Sequence, residues 1–418
     1  MSSVAVAPTE PVVDEVAGAA RLAGALVDTL TGPIQETHRG ISRRVFGLLG
    51  PLGRPTRRVH DTVAATTYGA VRGGARLAGA VAGAGLALSA RGRDRRPISG
   101  HPLGAQALAF GSGLLGDWMD GRTDDLVVRP GCTQHGRPLP PDPAALVAAL
   151  DDPTDRLVLL VHGLAETTAA WGWWSEGADG GAIPTYAERL CAVGWTPLEV
   201  RYNTGLPVVR SGEELATLIA DLVAAWPTPV TEIALVGHSM GGLVGGAACH
   251  HAVATGAGWT ALVSHVVTLG TPHAGSWLAR GAHALSTGAA RLPETRGLAT
   301  LVDLRSPGIR DLTRGWRAEP ELLPHLLPGA RHAFVSAGLV GPLGRIVGDG
   351  LVHARSADAP ARAVGAEPNV VIRHHPGVGH LRLVHHPAVA DDLVGWLGPR
   401  RVTDDPMVER APGARSTV

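Results

Sequence analysis

The segment Gly237-His238-Ser239-Met240-Gly241 sets one hydroxyl nucleophile between two glycines, after the apolar run 232–236 and before the small-residue segment 242–256. A serine at a sharp strand-to-helix turn takes strained backbone angles, and the residues two positions to either side must be small for the chain to pass. Gly237 and Gly241 meet that demand. A serine hydroxyl is a weak nucleophile at neutral pH and needs a base, which in this arrangement follows it in the chain. His380, in the segment 376–397 after the last expected strand, is the first candidate. His374 and His375 fall at a strand end, and His385 and His386 are expected to cap a helix or face solvent. An acid should orient the histidine and stabilise its imidazolium. Asp349, between Gly348 and Gly350 and after the expected strand 332–339, fits that role, with Asp358 as the alternative. A tetrahedral oxyanion needs two amide donors. Met240, directly after the serine, supplies one; Leu164, in His162-Gly163-Leu164, supplies the other. Trp171, Trp173 and Trp174 follow that loop closely, and at least one is expected to line an entrance and touch substrate.

These residues need rigid elements to hold them. From 155 to 398 apolar strands alternate with helices. Strands are expected at 157–161, 197–202, 232–236, 266–270, 332–339 and 370–374, and helices at 184–194, 214–226 and 242–256. Ser211 and Glu214 have the spacing of a capping box at the start of the second helix. Apolar strands interleaved with helices predict a mainly parallel sheet covered on both faces, an α/β class. Residues 274–328 are longer than a simple crossover and are expected to form a cap over the acyl pocket. Residues 1–100 are rich in Ala, Gly and Arg and read as a helical N-terminal extension; 101–154 reads as a connector and 399–418 as a disordered tail.

Composition excludes several functions. The chain has 418 residues and a formal net charge of zero, so no global field draws in nucleic acid. Its three cysteines, Cys132, Cys191 and Cys249, are far apart, with no C-x-x-C and no H-E-x-x-H among 19 histidines. Neither a disulfide framework nor a metal site is expected, and no cofactor is implied. The N-terminus lacks a secretory pattern, and the apolar stretch 77–90 is too short to span a bilayer. A cytoplasmic protein is expected, in peripheral contact with the inner membrane face if its basic segment meets lipid. Residues 36–98 carry twelve arginines against Glu36, Asp61 and Asp94, with apolar residues at helical spacing from Ile41 to Leu52. Packing on the main domain or contact with an anionic membrane would both use such a segment.

The motifs VHGL at 161–164, GHSMGG at 237–242, LGTPHAGS at 269–276, GDGLV at 348–352 and GHLRL at 379–383 together resemble an α/β-hydrolase of the lipase/esterase type. LGTPHAGS is similar to segments of bacterial triacylglycerol lipases and of the GPI inositol-deacylase group, which Tyr202-Asn203-Thr204-Gly205 also resembles. The resemblance covers somewhat more than half the chain. It implies the α/β-hydrolase fold, Ser239, Asp349 and His380 as triad, and Leu164 and Met240 as oxyanion donors. The function implied is cleavage of a hydrophobic acyl ester or lipid through an acyl-enzyme. A thioesterase, an acyltransferase and a non-catalytic lipid-binding protein are the alternatives on the same fold.

Overall fold

The computed structural model describes residues 11–90, 101–120, 128–176, 180–276, 306–315, 326–341, 348–365 and 367–398. Most of the expected cap (277–305 and 316–325) and the expected tail (399–418) lie outside the described residues.

Among the described residues eight strands form one sheet: β1 (Gly131–Gln134), β2 (Arg137–Leu139), β3 (Arg156–Val161), β4 (Thr196–Arg201), β5 (Glu232–His238), β6 (Val263–Leu269), β7 (Arg331–Gly338) and β8 (Val370–Pro376). Their order is β2-β1-β4-β3-β5-β6-β7-β8. From β4 to β8 every pairing is parallel; β1 and β2 add an antiparallel hairpin at one edge. The central strands are apolar throughout because helices cover both faces. Every residue of β3 is buried, as is β5 from Ile233 onward. The registers Val161↔Gly237, His238↔Leu269 and Leu269↔Val335 bring the carboxyl ends of β3, β5, β6 and β7 side by side. Loops leaving those ends meet, and the chemistry gathers there.

Helices among the described residues include α1 (Pro11–Leu48), α2 (Arg54–Ala90), α3 (Pro102–Met119), α4 (Pro143–Ala149), α5 (Tyr186–Cys191), α6 (Val208–Ala225), α7 (Met240–Thr255), α8 (Pro307–Arg314) and α9 (Pro387–Leu397). Two of them differ from the sequence reading. α6 starts six residues earlier than 214, and Ser211 is a buried residue inside it whose hydroxyl has no partner among the described residues. No capping box forms there, because the Val208 amide donates to Asp311 Oδ2 at 2.9 Å, a partner about a hundred residues away. The box appears at α5 instead, where Thr185 accepts from the Glu188 amide and Glu188 accepts from the Thr185 amide.

Residues 101–154, read as a connector, contain α3, the β1–β2 hairpin and α4. α3 has no strand-like or clearly two-sided pattern, yet it seats against the 203–205 turn. A side chain at Gly205 would collide with the Ser112 carbonyl, and one at Gly113 would stand 3.2 Å from Ala165. Gln106 Nε2 donates to the Ala165 carbonyl at 2.9 Å, and Asn203 Nδ2 to the Gly116 carbonyl at 3.2 Å.

Candidate active site

Ser239 follows β5 and precedes α7, at φ 52° and ψ −120°. A left-handed φ is costly for a residue with a Cβ, and such strain is held by the surroundings. Here the Ser239 amide donates to the Leu269 carbonyl at 2.8 Å. The glycines around it have no room for a side chain. A Cβ at Gly237 would lie 2.5 Å from Gly242 Cα, one at Gly241 would collide with the Val161 carbonyl oxygen, and one at Gly242 with Thr271 Oγ1. The small-residue demand read from the sequence is therefore steric, with β3, the elbow and the 269–276 segment in backbone contact.

His380 and Asp349 meet in the loops after β8 and β7. His380 Nδ1 lies 2.7 Å from Asp349 Oδ2, and the His380 amide donates to the Asp349 carbonyl at 2.9 Å. The other carboxylate oxygen, Oδ1, accepts from the amides of Leu351 at 2.9 Å and Val352 at 2.7 Å. Both residues are buried. Gly348, at φ 66°, lets the loop turn where a side chain would strike the Val352 carbonyl. The His380 ring rests on Gly270, where a Cβ would stand 3.2 Å from its Cε1 and Nδ1. Gly270 directly follows Leu269, the residue that accepts from Ser239, so Ser239, the His380 imidazole and the Asp349 carboxylate share one side of the sheet's carboxyl edge. Asp358 is elsewhere engaged: it holds Arg362 through two hydrogen bonds of 2.9 and 2.7 Å.

Met240 opens α7, and the first amide of a helix has no intrahelical acceptor. In the loop after β3, the Gly163 amide is already taken by Glu166 Oε2 at 2.7 Å, which leaves Leu164 as the next donor along. Glu166 was not singled out from the sequence. It is 5 % exposed, and the same oxygen lies 3.1 Å from His238 Nδ1. His238 is fully buried, and its Nε2 faces the His380 carbonyl oxygen at 3.2 Å. One buried carboxylate–imidazole pair thus links the loop after β3, the Ser239 turn and the His380 loop. Burial alone would raise the Glu166 carboxyl, but the charge and hydrogen bond of His238, with the Gly163 amide, hold it down at about 2. Burial opposes a charge on His238, yet Glu166, the His380 carbonyl and Asp349 together raise its pKa above the usual value. Two hydrogen-bond acceptors at the two ring nitrogens of His238 require both nitrogens to carry protons. The only sequence signal was the carboxylate's place four residues past His162.

The tryptophans divide. Trp171 is 2 % exposed and belongs to the core against Tyr186, so it does not line an entrance. Trp173 is half-buried, and Trp174 is 40 % exposed, its ring under Arg382 Cζ at 5.1 Å and edge-on to Trp173. Arg382 is two residues from His380, which puts Trp174 beside the site's rim. His374 Nδ1 lies 2.9 Å from Ser336 Oγ, and His375 Nε2 lies 2.9 Å from Asp392 Oδ2. His385 is buried against Tyr186 rather than capping or solvent-facing, and the His386 amide donates to the Tyr186 hydroxyl at 3.0 Å. A cavity of about 1140 Å³ opens beside the Asp349 loop, lined by Leu339, Val340, His353, Arg355 and His374 among others, but Ser239 and His380 are not in its wall.

Residues 213–287, which contain the elbow, match the model of the PGAP1-like alpha/beta domain family. No curated protein sequence matches the chain. Solved structures similar to it include the mature lipase BlEst2 of Bacillus licheniformis, at 19 % identity and a TM-score of 0.43 over 60 % of this chain and 94 % of that one. A thermophilic esterase of Thermogutta terrifontis is 18 % identical, with a TM-score of 0.37, over 59 % and 90 %. A soluble variant of monoglyceride lipase from Saccharomyces cerevisiae is 13 % identical, with a TM-score of 0.39, over 59 % and 87 %. The fold, a mainly parallel sheet with helices and a helical N-terminal region, is of the α/β-hydrolase kind.

Proposed function

We propose that the chain is a serine ester hydrolase that cleaves a hydrophobic acyl ester through an acyl-enzyme intermediate. The observation that carries this reading is the buried 2.7 Å pairing of His380 Nδ1 with Asp349 Oδ2 next to the strained Ser239 elbow. His380 Nε2 takes the proton of Ser239 Oγ as that oxygen attacks the ester carbonyl carbon. The amides of Leu164 and Met240 donate to the oxyanion that forms. The C–O bond to the leaving alcohol breaks, and the alcohol takes the proton from His380. Water then attacks the acyl-serine by the same route, releasing the acid and Ser239. Asp349 holds the ring with Nδ1–H toward itself, and its second oxygen is fixed by two backbone amides. Exposed Trp174 offers an apolar edge to the acyl chain at the rim. Residues 36–98 bring the enzyme to an anionic membrane on its cytoplasmic side, where lipid esters are at hand.

The test is turnover of p-nitrophenyl esters of increasing chain length, with fluorophosphonate labelling of Ser239 as the second readout. Hydrolysis that rises with acyl length, and labelling lost in Ser239→Ala, are expected. Faster turnover of matched thioesters would move the assignment to a thioesterase. Labelling retained by Ser239→Ala would remove the serine mechanism.

A further inference from the structure

The α1–α2 hairpin is built inside out. Its helices run antiparallel over their length: Gly24 lies against Arg76, His38 against Tyr68, and Ser42 against Asp61. The seam between them is polar. Thr31, Gln35 and Ser42 are buried there. His38 Nδ1 lies 3.2 Å from Tyr68 Oη and Ser42 Oγ donates to Asp61 Oδ1 at 3.0 Å across it, while within α2 Arg57 Nε donates to Asp61 Oδ2 at 3.3 Å. The outward sides carry apolar side chains among arginines and threonines. Ile34, Ile41, Val45 and Leu48 on α1, Leu49 just after it, and Val59 and Val63 on α2, are all about half exposed or more. At the bend, Leu48 is 85 % and Leu52 89 % exposed. A water-facing hairpin would hold these side chains in its seam, since burying a Leu or Val side chain is favourable.

Charge decides what covers that surface. Between residues 37 and 60 stand Arg39, Arg43, Arg44, Arg54, Arg57 and Arg58, and no Asp or Glu. A second copy of the hairpin would set this cluster against its equal. An anionic lipid surface neutralises it while accepting the leucines. Among the described residues no helix is long and apolar enough to cross a membrane, so insertion is shallow. We infer that the bend of the α1–α2 hairpin, with Leu48, Leu49 and Leu52 as its apolar wedge and the flanking arginines as its charged collar, docks on anionic bilayers. This rests on the membrane contact included in the proposed function and locates it in one element. The hairpin's base meets the rest of the chain where Leu22 faces Gly111 of α3. From Leu22 to Leu48 the helical rise amounts to about 40 Å, so the wedge acts as a stalk rather than as part of the substrate rim.

Flotation of the full-length protein with vesicles tests it. The chain floats with phosphatidylglycerol/phosphatidylcholine vesicles, stays behind with phosphatidylcholine alone, and is released by salt. Arg43→Gln with Arg44→Gln lowers partitioning roughly fivefold per charge, near thirtyfold for the pair. Leu48→Glu with Leu52→Glu abolishes flotation while helicity and fluorophosphonate labelling remain as in the unchanged protein. If the leucine variant floats undiminished, the membrane contact stands and the bend is not its site. If the unchanged protein does not float, or floats equally on neutral vesicles, the membrane reading itself falls, whatever its esterase activity. Concentration-dependent dimers that the leucine variant dissolves would assign the surface to a second copy instead.

Discussion

A serine between glycines can be read from a sequence only because the reason for the glycines is steric and local. At Ser239 the collisions waiting at Gly237 and Gly241 are with backbone atoms, which no rotamer change relieves. Ser239→Ala should therefore leave the fold intact and remove hydrolysis, by roughly 10⁶ in turnover as in a serine protease. Ester assays and fluorophosphonate labelling check it. Asp349→Asn keeps the two amide contacts to Oδ1 but turns the His380 ring toward the wrong tautomer, so turnover should drop by about 10⁴. Asp358→Asn, whose carboxylate faces Arg362, should leave turnover within a few fold. The reverse pattern of the two would move the acid to Asp358. Ser239, Asp349 and His380 were legible because each carries a local mark, a glycine flank or a place after a strand. Glu166 carries only its place four residues past His162. It lies 72 positions before His238, and only the side-by-side placement of β3 and β5 makes them partners.

Elements show where local signals lose to tertiary ones. The α6 start was misread because the donor at Val208 is satisfied by Asp311 from α8, not by a neighbour in sequence. The strands were legible because burial on both faces leaves continuous apolar runs, whereas α3 was hidden by its Gly- and Ala-rich composition. Those small residues let α3 approach the 203–205 turn closely. Gly205→Ala would drive a methyl into the Ser112 carbonyl, so a loss of about 1–3 kcal/mol in urea unfolding is expected, the usual cost of overpacking. Because Ala165 lies between this turn and the oxyanion loop, with its amide on Thr204 Oγ1 at 3.2 Å, turnover should fall with it. Glu166→Gln acts on the same loop from the other side. The amide side chain keeps one acceptor but loses the charge that holds His238 protonated. The expected result is a drop in kcat bounded by loss of one oxyanion donor, about 10²–10³, with KM little changed. A rise in KM with kcat intact would show that Glu166 supports substrate binding instead.

The whole molecule carries two opposite kinds of buried histidine, and they set its stability against pH. His273 is almost fully buried beside Thr268, and burial pushes it down to about 3; burial likewise lowers His265 to about 4. Unfolded, both would titrate near 6.5. Below that pH the unfolded chain binds protons that the folded one refuses, so stability present above 6.5 is lost as pH falls. For His273 the loss is about 1.4 kcal/mol per pH unit until its folded value is reached. His238 works the other way. Its folded pKa is raised by Glu166, so its contribution is fully present below 6.5 and is lost as pH rises through the folded value. Glu166, held at about 2, contributes stability that stays present at any pH above the ordinary carboxylate range and is lost only as pH falls toward that value. Urea unfolding across pH should give a dome with an acid arm and an alkaline arm of different origin. Glu166→Gln should flatten the alkaline arm and, below the ordinary carboxylate range, also remove part of the acid arm. His273→Gln should shallow the acid arm and leave the alkaline one. If Glu166→Gln leaves the alkaline slope unchanged, His238 is neutral in the folded chain and carries a single ring proton.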